Sequence, residues 1–273
     1  MQTVHQSEGL VFLNSGLVVD NSVDLILTDP PYIISHETGM NKQMNDVKRI
    51  KEGETMKSME EWLEYKKANG LNTDEHMTNY LQYGSTYGKK YCVRTDYGDW
   101  DSQFTMEMLE TFIKQYYQKL RMGGTLVIWF DLWKLSPLKE MMERCKFKQL
   151  RMIEWIKTNP QPLNASVNYL TNCREIALIG VKGSKPTFHG RMDRGIYEYP
   201  MAAGFYKFHP TQKNLQLFEA LIRKHSNEGD LVMDTFLGGG TTALAAKRTG
   251  RRFVGCEVNP EFVEKMRKVL NDF

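Results

Sequence analysis

Cysteines are scarce in this chain, and none of them forms a recognisable site. Only four occur in 273 residues, namely Cys92, Cys145, Cys173 and Cys256. No two of them have the spacing of zinc ligands or of a disulfide framework. We therefore expect reduced thiols, no metal site and a cytoplasmic protein.

Long apolar runs and a strong charge imbalance are also missing. The longest apolar stretches, such as TLVIWF at 125–130, are far shorter than the about 20 residues that span a bilayer. The N-terminus lacks the basic and apolar regions of a signal peptide, so we expect no membrane association. The net charge of +3 permits a nucleic-acid partner without requiring one.

Short apolar runs alternate with segments of helical periodicity. Residues 105–124 are predicted to form an amphipathic helix that ends at Gly123 and Gly124. Asn259 is the predicted N-cap of a helix that begins at Pro260. This alternation predicts an α/β fold with a mainly parallel, twisted sheet and helices on both faces. The predicted strands are 23–28, 125–130, 150–157, 175–181, 230–235 and 252–258.

Two segments interrupt the alternation. Residues 35–98 are polar and weakly periodic, whereas residues 182–213 hold six Lys or Arg, two acids and six Phe or Tyr. Basic residues interleaved with aromatics suit a nucleic-acid surface, and the alternative is a solvated edge hairpin. The predicted nucleic-acid contacts are Lys185, Arg191, Arg194 and Lys207.

A glycine loop between two predicted strands has the pattern of a nucleotide site. Asp234 ends one apolar run, Gly238, Gly239 and Gly240 follow, and Glu257 ends the next run about 20 residues on, where an acid can bind ribose hydroxyls. Thr241 and Thr242 are predicted to cap the intervening helix. No GK[ST] follows the glycines, so this is not a P-loop. A dinucleotide fits, and so does S-adenosylmethionine, with Asp234 free to meet its amino group; ordinary strand-end acids are the alternative.

The stretch TDPPY at 28–32 holds a carboxylate and an aromatic ring at the end of a predicted strand. Proline has no N–H for the strand ladder, so Pro30 and Pro31 end the strand. Asp29 and Tyr32 are thereby fixed side by side.

Three motifs in this order give the chain a family resemblance. TDPPY, FHPTQK at 208–213 and DTFLGGGTT at 234–242 together resemble the β-class amino-group DNA methyltransferases, in which the catalytic motif precedes the cofactor motif. The resemblance implies the Rossmann-like fold of S-adenosylmethionine-dependent methyltransferases. Residues 1–34 and 99–273 would form the catalytic domain, 35–98 an insert that closes over DNA or a disordered loop, and 182–207 a target-recognition segment.

The resemblance also implies roles for single residues. The Asp29 carboxylate and the Pro30 carbonyl would accept the two hydrogens of an exocyclic amino group, with Pro31 completing the rigid turn, and Tyr32 would stack on a flipped-out base. The cofactor, S-adenosylmethionine, would be held at its methionine part, its ribose and its carboxylate by Asp234, Phe236, Gly238, Gly240, Thr241, Glu257, Thr211 and Lys213. No metal is required.

The DPPY form of the motif favours adenine in this family, so we expect adenine in double-stranded DNA as the target. Cytosine is the first alternative, because its exocyclic amino group poses the same chemical problem. A non-catalytic binding subunit and an RNA or protein methyltransferase are the others. A homodimer and a cognate restriction endonuclease are left open by the sequence.

Overall fold

The computed structural model describes residues 2–32, 57–83, 86, 104–160, 172–204, 207–209 and 211–272. The chain divides into two compact units. The larger unit consists of Met1–Tyr32 and Phe104–Phe273, and the smaller of Ile33–Gln103.

One sheet forms the centre of the larger unit. Within the described residues it has eight strands in the order β1-β8-β7-β2-β3-β5-β4-β6, and every neighbouring pair is parallel except the two that involve β5. The strands are β1 (Gln2–Gln6), β2 (Val23–Thr28), β3 (Leu120–Phe130), β4 (Phe147–Lys157), β5 (Arg174–Lys182), β6 (Ile196–Tyr199), β7 (Leu231–Asp234) and β8 (Arg252–Glu257). The predicted α/β fold with a mainly parallel sheet is confirmed.

All six predicted strands are present, and two short edge strands were not predicted. The strand β1 pairs with β8, and β6 pairs in parallel with β4. The strand β6 lies in the segment 182–213, and its parallel pairing with β4 is not the antiparallel pairing of a hairpin. The edge-hairpin alternative is therefore wrong for β6. Neither edge strand carries the long apolar run that marks the central strands.

Eight α-helices lie in the described ranges. They are α1 (Gly9–Asn14), α2 (Met59–Ala68), α3 (Met77–Tyr83), α4 (Met106–Lys119), α5 (Leu135–Arg144), α6 (Leu215–His225), α7 (Thr241–Arg248) and α8 (Pro260–Asp272). Asn259 caps α8 by accepting a hydrogen bond from the Glu261 N–H at 2.9 Å, as predicted. Within these ranges, no helix has the length and apolar content needed to cross a membrane.

The predicted end of α4 is wrong. The helix stops at Lys119, and Leu120 already begins β3, so Gly123 and Gly124 belong to the strand. Gly123 has a φ of +79°, and a Cβ on Gly124 would come within 3.1 Å of the Val23 carbonyl oxygen. The two glycines therefore allow an irregular stretch of β3 to pass close to β2, and they do not terminate a helix.

Aromatic residues fill the centre of the core. The fully buried rings of Trp129 and Phe218 stack with centroids 6.1 Å apart, and Trp155 meets Trp129 edge to face at 6.4 Å. This cluster packs α6 on the sheet directly beneath the end of β3.

The smaller unit contains α2 and α3 within its described residues. Trp62 is buried against Tyr65 and Tyr80, and its indole N–H donates to Asp74 at 2.9 Å. The disordered-loop reading is therefore wrong for 57–83, and closure of the insert over DNA stays a prediction.

Candidate functional site

The strand ends that carry the candidate site residues lie at one edge of the sheet. Parallel β2, β3, β7 and β8 bring their carboxyl ends there, as ligand sites in α/β sheets require. The strand β5 is antiparallel to both β3 and β4, so it brings its amino end to this edge, and β4 brings its carboxyl end. Asp29 directly follows β2, the glycine loop follows β7, and Glu257 is the last residue of β8.

Asp29 is half-buried and only partly satisfied. Its Oδ2 lies 2.6 Å from Nζ of Lys213. Its Oδ1 and the Tyr32 hydroxyl are both buried, and neither makes a hydrogen bond of good geometry within the described residues. Burial raises the pKa of Asp29 above its ordinary value, and the neighbouring Lys213 opposes that shift without cancelling it. The site therefore presents an acceptor that the protein leaves available.

Tyr32 faces the same space. Its ring meets Phe130 edge to face at a centroid distance of 5.9 Å. Burial, together with the Asp29 carboxylate, raises the pKa of Tyr32 well above its usual value, so the phenol stays neutral. Pro30 is buried and Pro31 is half-buried, in keeping with a rigid turn that fixes the side chains of Asp29 and Tyr32.

Lys213 is buried and has two carboxylate partners. Besides Asp29, its ammonium lies 2.7 Å from Glu175, and Glu175 also lies 2.7 Å from Lys157. Burial opposes the charge of Lys213, but the Asp29 and Glu175 carboxylates outweigh it and raise the Lys213 pKa. Burial likewise acts against the Glu175 carboxylate, yet Lys213 and Lys157 lower its pKa to about 2. Contact of Lys213 with a cofactor carboxylate stays a prediction.

Glu175 and Lys157 were missed by sequence reasoning. Each is a charged residue at the end of an apolar strand, Lys157 closing β4 and Glu175 near the start of β5. That position was the only signal, and it did not show that β5 runs antiparallel and so places Glu175 at the same edge as Asp29.

Asp234 fixes the start of the glycine loop. Its carboxylate accepts hydrogen bonds from the hydroxyls of Thr28 and Thr242, both at 2.7 Å, and from the Phe236 N–H at 3.0 Å. Burial raises its pKa to about 6. The sequence suggested that this carboxylate is free, and that expectation is wrong. Contact of Asp234 with a cofactor stays a prediction.

The glycine loop leads into α7 without a side-chain cap. Gly238 and Gly240 have φ values of +47° and +73°, which glycine adopts without strain. Gly240 is the N-cap, and Thr241 is the first helical residue, so the predicted threonine caps are wrong. The Thr241 hydroxyl instead donates to the Lys213 carbonyl at 3.3 Å. The first N–H groups of α7 are thus not capped by a side chain, and such groups favour an anionic ligand.

Glu257 holds the other side of the loop. It is buried, and its two carboxylate oxygens accept hydrogen bonds from the N–H groups of Gly238 at 2.8 Å and Asn259 at 2.9 Å. Burial raises its pKa. Each oxygen keeps a further lone pair for a ligand hydroxyl.

Two other predicted cofactor residues flank this loop. The ring of Phe236 packs against Phe112 with centroids 4.8 Å apart. Thr211 is exposed, and its hydroxyl lies 3.2 Å from Nδ1 of His209. The His209 ring in turn lies 3.7 Å from the place where a Cβ of Gly238 would be, so the FHPTQK segment contacts the glycine loop.

The four predicted DNA contacts are all exposed: Lys185, Arg191, Arg194 and Lys207. The loop that carries the first three is anchored on α6, because Lys224 pairs with Asp193 and its carbonyl accepts the His189 N–H at 2.8 Å. The structure thus gathers the catalytic and cofactor candidates at one sheet edge and presents these four cations to solvent.

Comparison with known proteins matches the chain to one family. The family model described as DNA methylase, N6_N4_Mtase, matches residues 23–268. A Type II methyltransferase of Streptococcus pneumoniae, M2.DpnII, is 32% identical over 197 residues, which is 65% of this chain and 73% of that protein.

Solved structures show the same fold. The M1.HpyAVI–SAM complex superposes with a TM-score of 0.63 at 22% identity, covering 98% of this chain and all of that one. The PvuII DNA methyltransferase, titled cytosine-N4-specific, gives a TM-score of 0.64 at 17% identity, covering 97% of this chain and 84% of that one.

Proposed function

Because the chain belongs to the DNA methylase family, whose methyl donor is S-adenosylmethionine, we propose that it methylates the exocyclic amino nitrogen of adenine in double-stranded DNA. One observation supports this proposal above all. Asp29 Oδ1 is a buried acceptor with no hydrogen bond of good geometry in the described residues, and the Tyr32 hydroxyl lies beside the Asp29 carboxylate.

The residues at the sheet edge fit the methyl donor. The uncapped start of α7 suits its carboxylate, and the remaining lone pairs of Glu257 suit its ribose hydroxyls. Gly238 and Gly240 give the loop its tight turn at the carboxyl end of β7, with positive φ values that glycine adopts without strain. When bound, the cofactor supplies a methyl group already activated by its positively charged sulfur, so the protein needs no metal to activate it.

The residues of this chain position the target base and accept the hydrogens of its amino group. The lone pair of an exocyclic amino nitrogen is delocalised into the base, and hydrogen bonds from that group to Asp29 and to the Pro30 carbonyl pull the nitrogen toward a nucleophilic, tetrahedral shape. When the nitrogen–carbon bond forms and the carbon–sulfur bond breaks, the nitrogen must lose one proton. Asp29 is placed to take it, and its raised pKa favours that transfer. Tyr32 offers a neutral ring on which the flipped base stacks.

A carboxylate favours adenine over cytosine in this proposal. A charged acceptor forms a stronger hydrogen bond than a neutral hydroxyl, and the ring of Tyr32 suits the larger stacking area of a purine. Cytosine remains the second candidate, because its amino group offers the same two hydrogens to the same acceptors.

The identity of the base is tested on the reaction product. Double-stranded DNA is methylated by the purified protein with S-adenosylmethionine, digested to nucleosides and examined by mass spectrometry. We expect N6-methyladenine. N4-methylcytosine without methyladenine would assign the chain to the second candidate, and the absence of both would overturn the proposed reaction.

We further propose that the methylation protects a recognition sequence from a cognate restriction endonuclease in the cytoplasm. The support is that relatives such as M2.DpnII are named Type II methyltransferases. Sequencing of methylated DNA identifies the recognition sequence, and DNA carrying it should then resist an endonuclease from the same cells. Cleavage that ignores the methylation would contradict this.

A further inference from the structure

Four charged side chains form a continuous row of ion pairs at the edge of the sheet where Asp29 lies. Lys157 contacts Glu175 at 2.7 Å, Glu175 contacts Lys213 at 2.7 Å, and Lys213 contacts Asp29 at 2.6 Å. Their side chains are only 17%, 19%, 7% and 23% exposed, in that order. They come from four separate segments, which the sheet brings together.

The cluster is balanced and enclosed. It holds two ammonium and two carboxylate groups, so each buried charge has an opposite neighbour, which is the condition under which buried charges are tolerated. The Lys213 ammonium also lies 5.5 Å from the centroid of the Tyr32 ring and 5.8 Å from that of Trp129. These rings and the two carboxylates restrict where the ammonium can move.

We propose that Glu175 is a positioning residue for methyl transfer, which holds the Lys213 ammonium between two carboxylates and so keeps Asp29 available to the amino group of the base. Lys157 supports this by holding Glu175. The inference rests on the proposed function, because it assigns to Asp29 the role of acceptor.

The physical reason is competition for the oxygens of Asp29. A base amino group and the Lys213 ammonium both donate hydrogen bonds to the same carboxylate, and the ammonium is the stronger donor because it is charged. With Glu175 present, the ammonium is shared. Without it, Asp29 is the one carboxylate within 4.0 Å of Lys213 Nζ in the described part of the chain, so the two pair more tightly.

The charges that face Asp29 also set the pH dependence. Lys213 lowers the pKa of Asp29, Glu175 raises it, and the Tyr32 hydroxyl lies beside it. Asp234 is a further acid close enough to feel the charge of Asp29. Asp29 must be ionised to take the proton that the amino nitrogen loses, so the rate of methyl transfer falls as the pH falls through the pKa of Asp29.

Loss of Glu175 and loss of Lys157 should therefore act in opposite directions. Glu175→Gln removes a negative charge, so the pKa of Asp29 falls. The acid limb, which is the part of the pH–rate profile where the rate falls as Asp29 is protonated, then moves to lower pH. Lys157→Gln leaves Glu175 less neutralised, so the acid limb moves to higher pH. A purely structural role would lower the active fraction of both variants and would leave both limbs in place.

The experiment measures single-turnover methyl transfer to adenine-containing duplex DNA across pH, because this isolates the chemical step from product release. For Glu175→Gln we expect the plateau rate to fall up to about a hundredfold, the effect of a misplaced reacting group, with the acid limb displaced downward. Glu175→Asp, which keeps the charge, should recover part of the rate. Calorimetric titration with S-adenosylmethionine should give nearly unchanged affinity.

Glu154→Gln is the matched control, because Glu154 lies on β4 and pairs with the exposed Arg174 at 3.1 Å. It should behave as the wild type. If the wild-type protein methylates adenine but the acid limbs of Glu175→Gln and Lys157→Gln are both unchanged, the inference about Glu175 is overturned and the proposed function stands. If Glu175→Gln fails to fold, Lys157→Gln and Glu175→Asp decide the same point. Absence of methyl transfer by the wild type would instead overturn the proposed function itself.

Discussion

The hydroxyl of Thr28 donates a hydrogen bond to Oδ1 of Asp234 at 2.7 Å, across 206 positions of sequence. Thr28 directly precedes Asp29, and Asp234 directly precedes the glycine loop. Both partners are buried, so this bond ties the end of β2, which leads to Asp29, to the end of β7, which leads to the glycine loop.

Asp234 should impose a recognisable pH dependence on stability. Its pKa is about 6 in the folded protein and near 4 in an unfolded chain, so between these values the folded state holds a proton that the unfolded state has released. The free energy of unfolding then falls as the pH rises through this window. Relative to wild type, Asp234→Asn should gain roughly 1–3 kcal/mol between about pH 4 and 7.

Urea unfolding of both proteins over this pH range measures the difference. Asp272→Asn, which changes an exposed residue at the end of α8, is the control and should run parallel to wild type. A constant difference between Asp234→Asn and wild type across the window would show that Asp234 is not the titrating group.

Asp29→Ala should abolish methyl transfer and retain cofactor binding. The substitution removes the acceptor. Lys213 keeps Glu175 as a partner at 2.7 Å, so the buried ammonium stays paired and we expect the variant to fold. Transfer of a tritiated methyl group measures the first property, and calorimetric titration with S-adenosylmethionine the second. Wild-type transfer rates in the variant would remove Asp29 from the mechanism.

Glu257→Ala should weaken binding of S-adenosylmethionine by roughly 1–3 kcal/mol, the cost of losing hydrogen bonds to a charged acceptor. It also removes the acceptor of the Gly238 N–H, which loosens the loop. DNA affinity measured without cofactor should not change. Glu261→Ala, at an exposed acid in the first turn of α8, serves as the control, and equal cofactor affinities for the two variants would exclude Glu257 from the site.

The four exposed cations of the segment 182–207 should contribute phosphate contacts. Replacing Lys185, Arg191, Arg194 and Lys207 with alanine should reduce the salt dependence of DNA binding by roughly one unit of slope per true contact. The charge-matched control replaces four exposed helical cations with alanine, namely Lys139, Arg144, Lys265 and Lys268. Identical slopes for the two quadruple variants would direct the search for the DNA surface to the insert 35–98.

Local signals were sufficient for the central strands and for the motifs that follow them. The predicted strand 23–28 coincides with β2, and the prediction 252–258 exceeds β8 by one residue. Buried parallel strands are short apolar runs that end at a proline, a glycine or an acid, and these features are read within a few residues. Sequence motifs alone likewise indicated the family, and the family model confirmed it.

Local sequence signals do not predict features that depend on contact with a distant segment of the chain. The glycines after α4 were predicted to end a helix, but their purpose lies in the close approach of β3 to Val23. Asp234 was predicted to be free, but Thr28 and Thr242 reach it from elsewhere in the fold. Close approach and hydrogen bonding between distant segments leave no periodic trace in the sequence.

The amino-acid sequence by itself determined which residue types stand at the ends of β2, β7 and β8, because strand ends and tight turns are encoded locally. Only the tertiary structure decided how their charges are shared. Glu175 reaches Lys213 because β5 is antiparallel to both neighbouring strands and so brings its amino end to the edge of the sheet where Asp29 lies. Electrostatic partnership depends on distance through space and on exclusion of water, and both arise only when the sheet has formed.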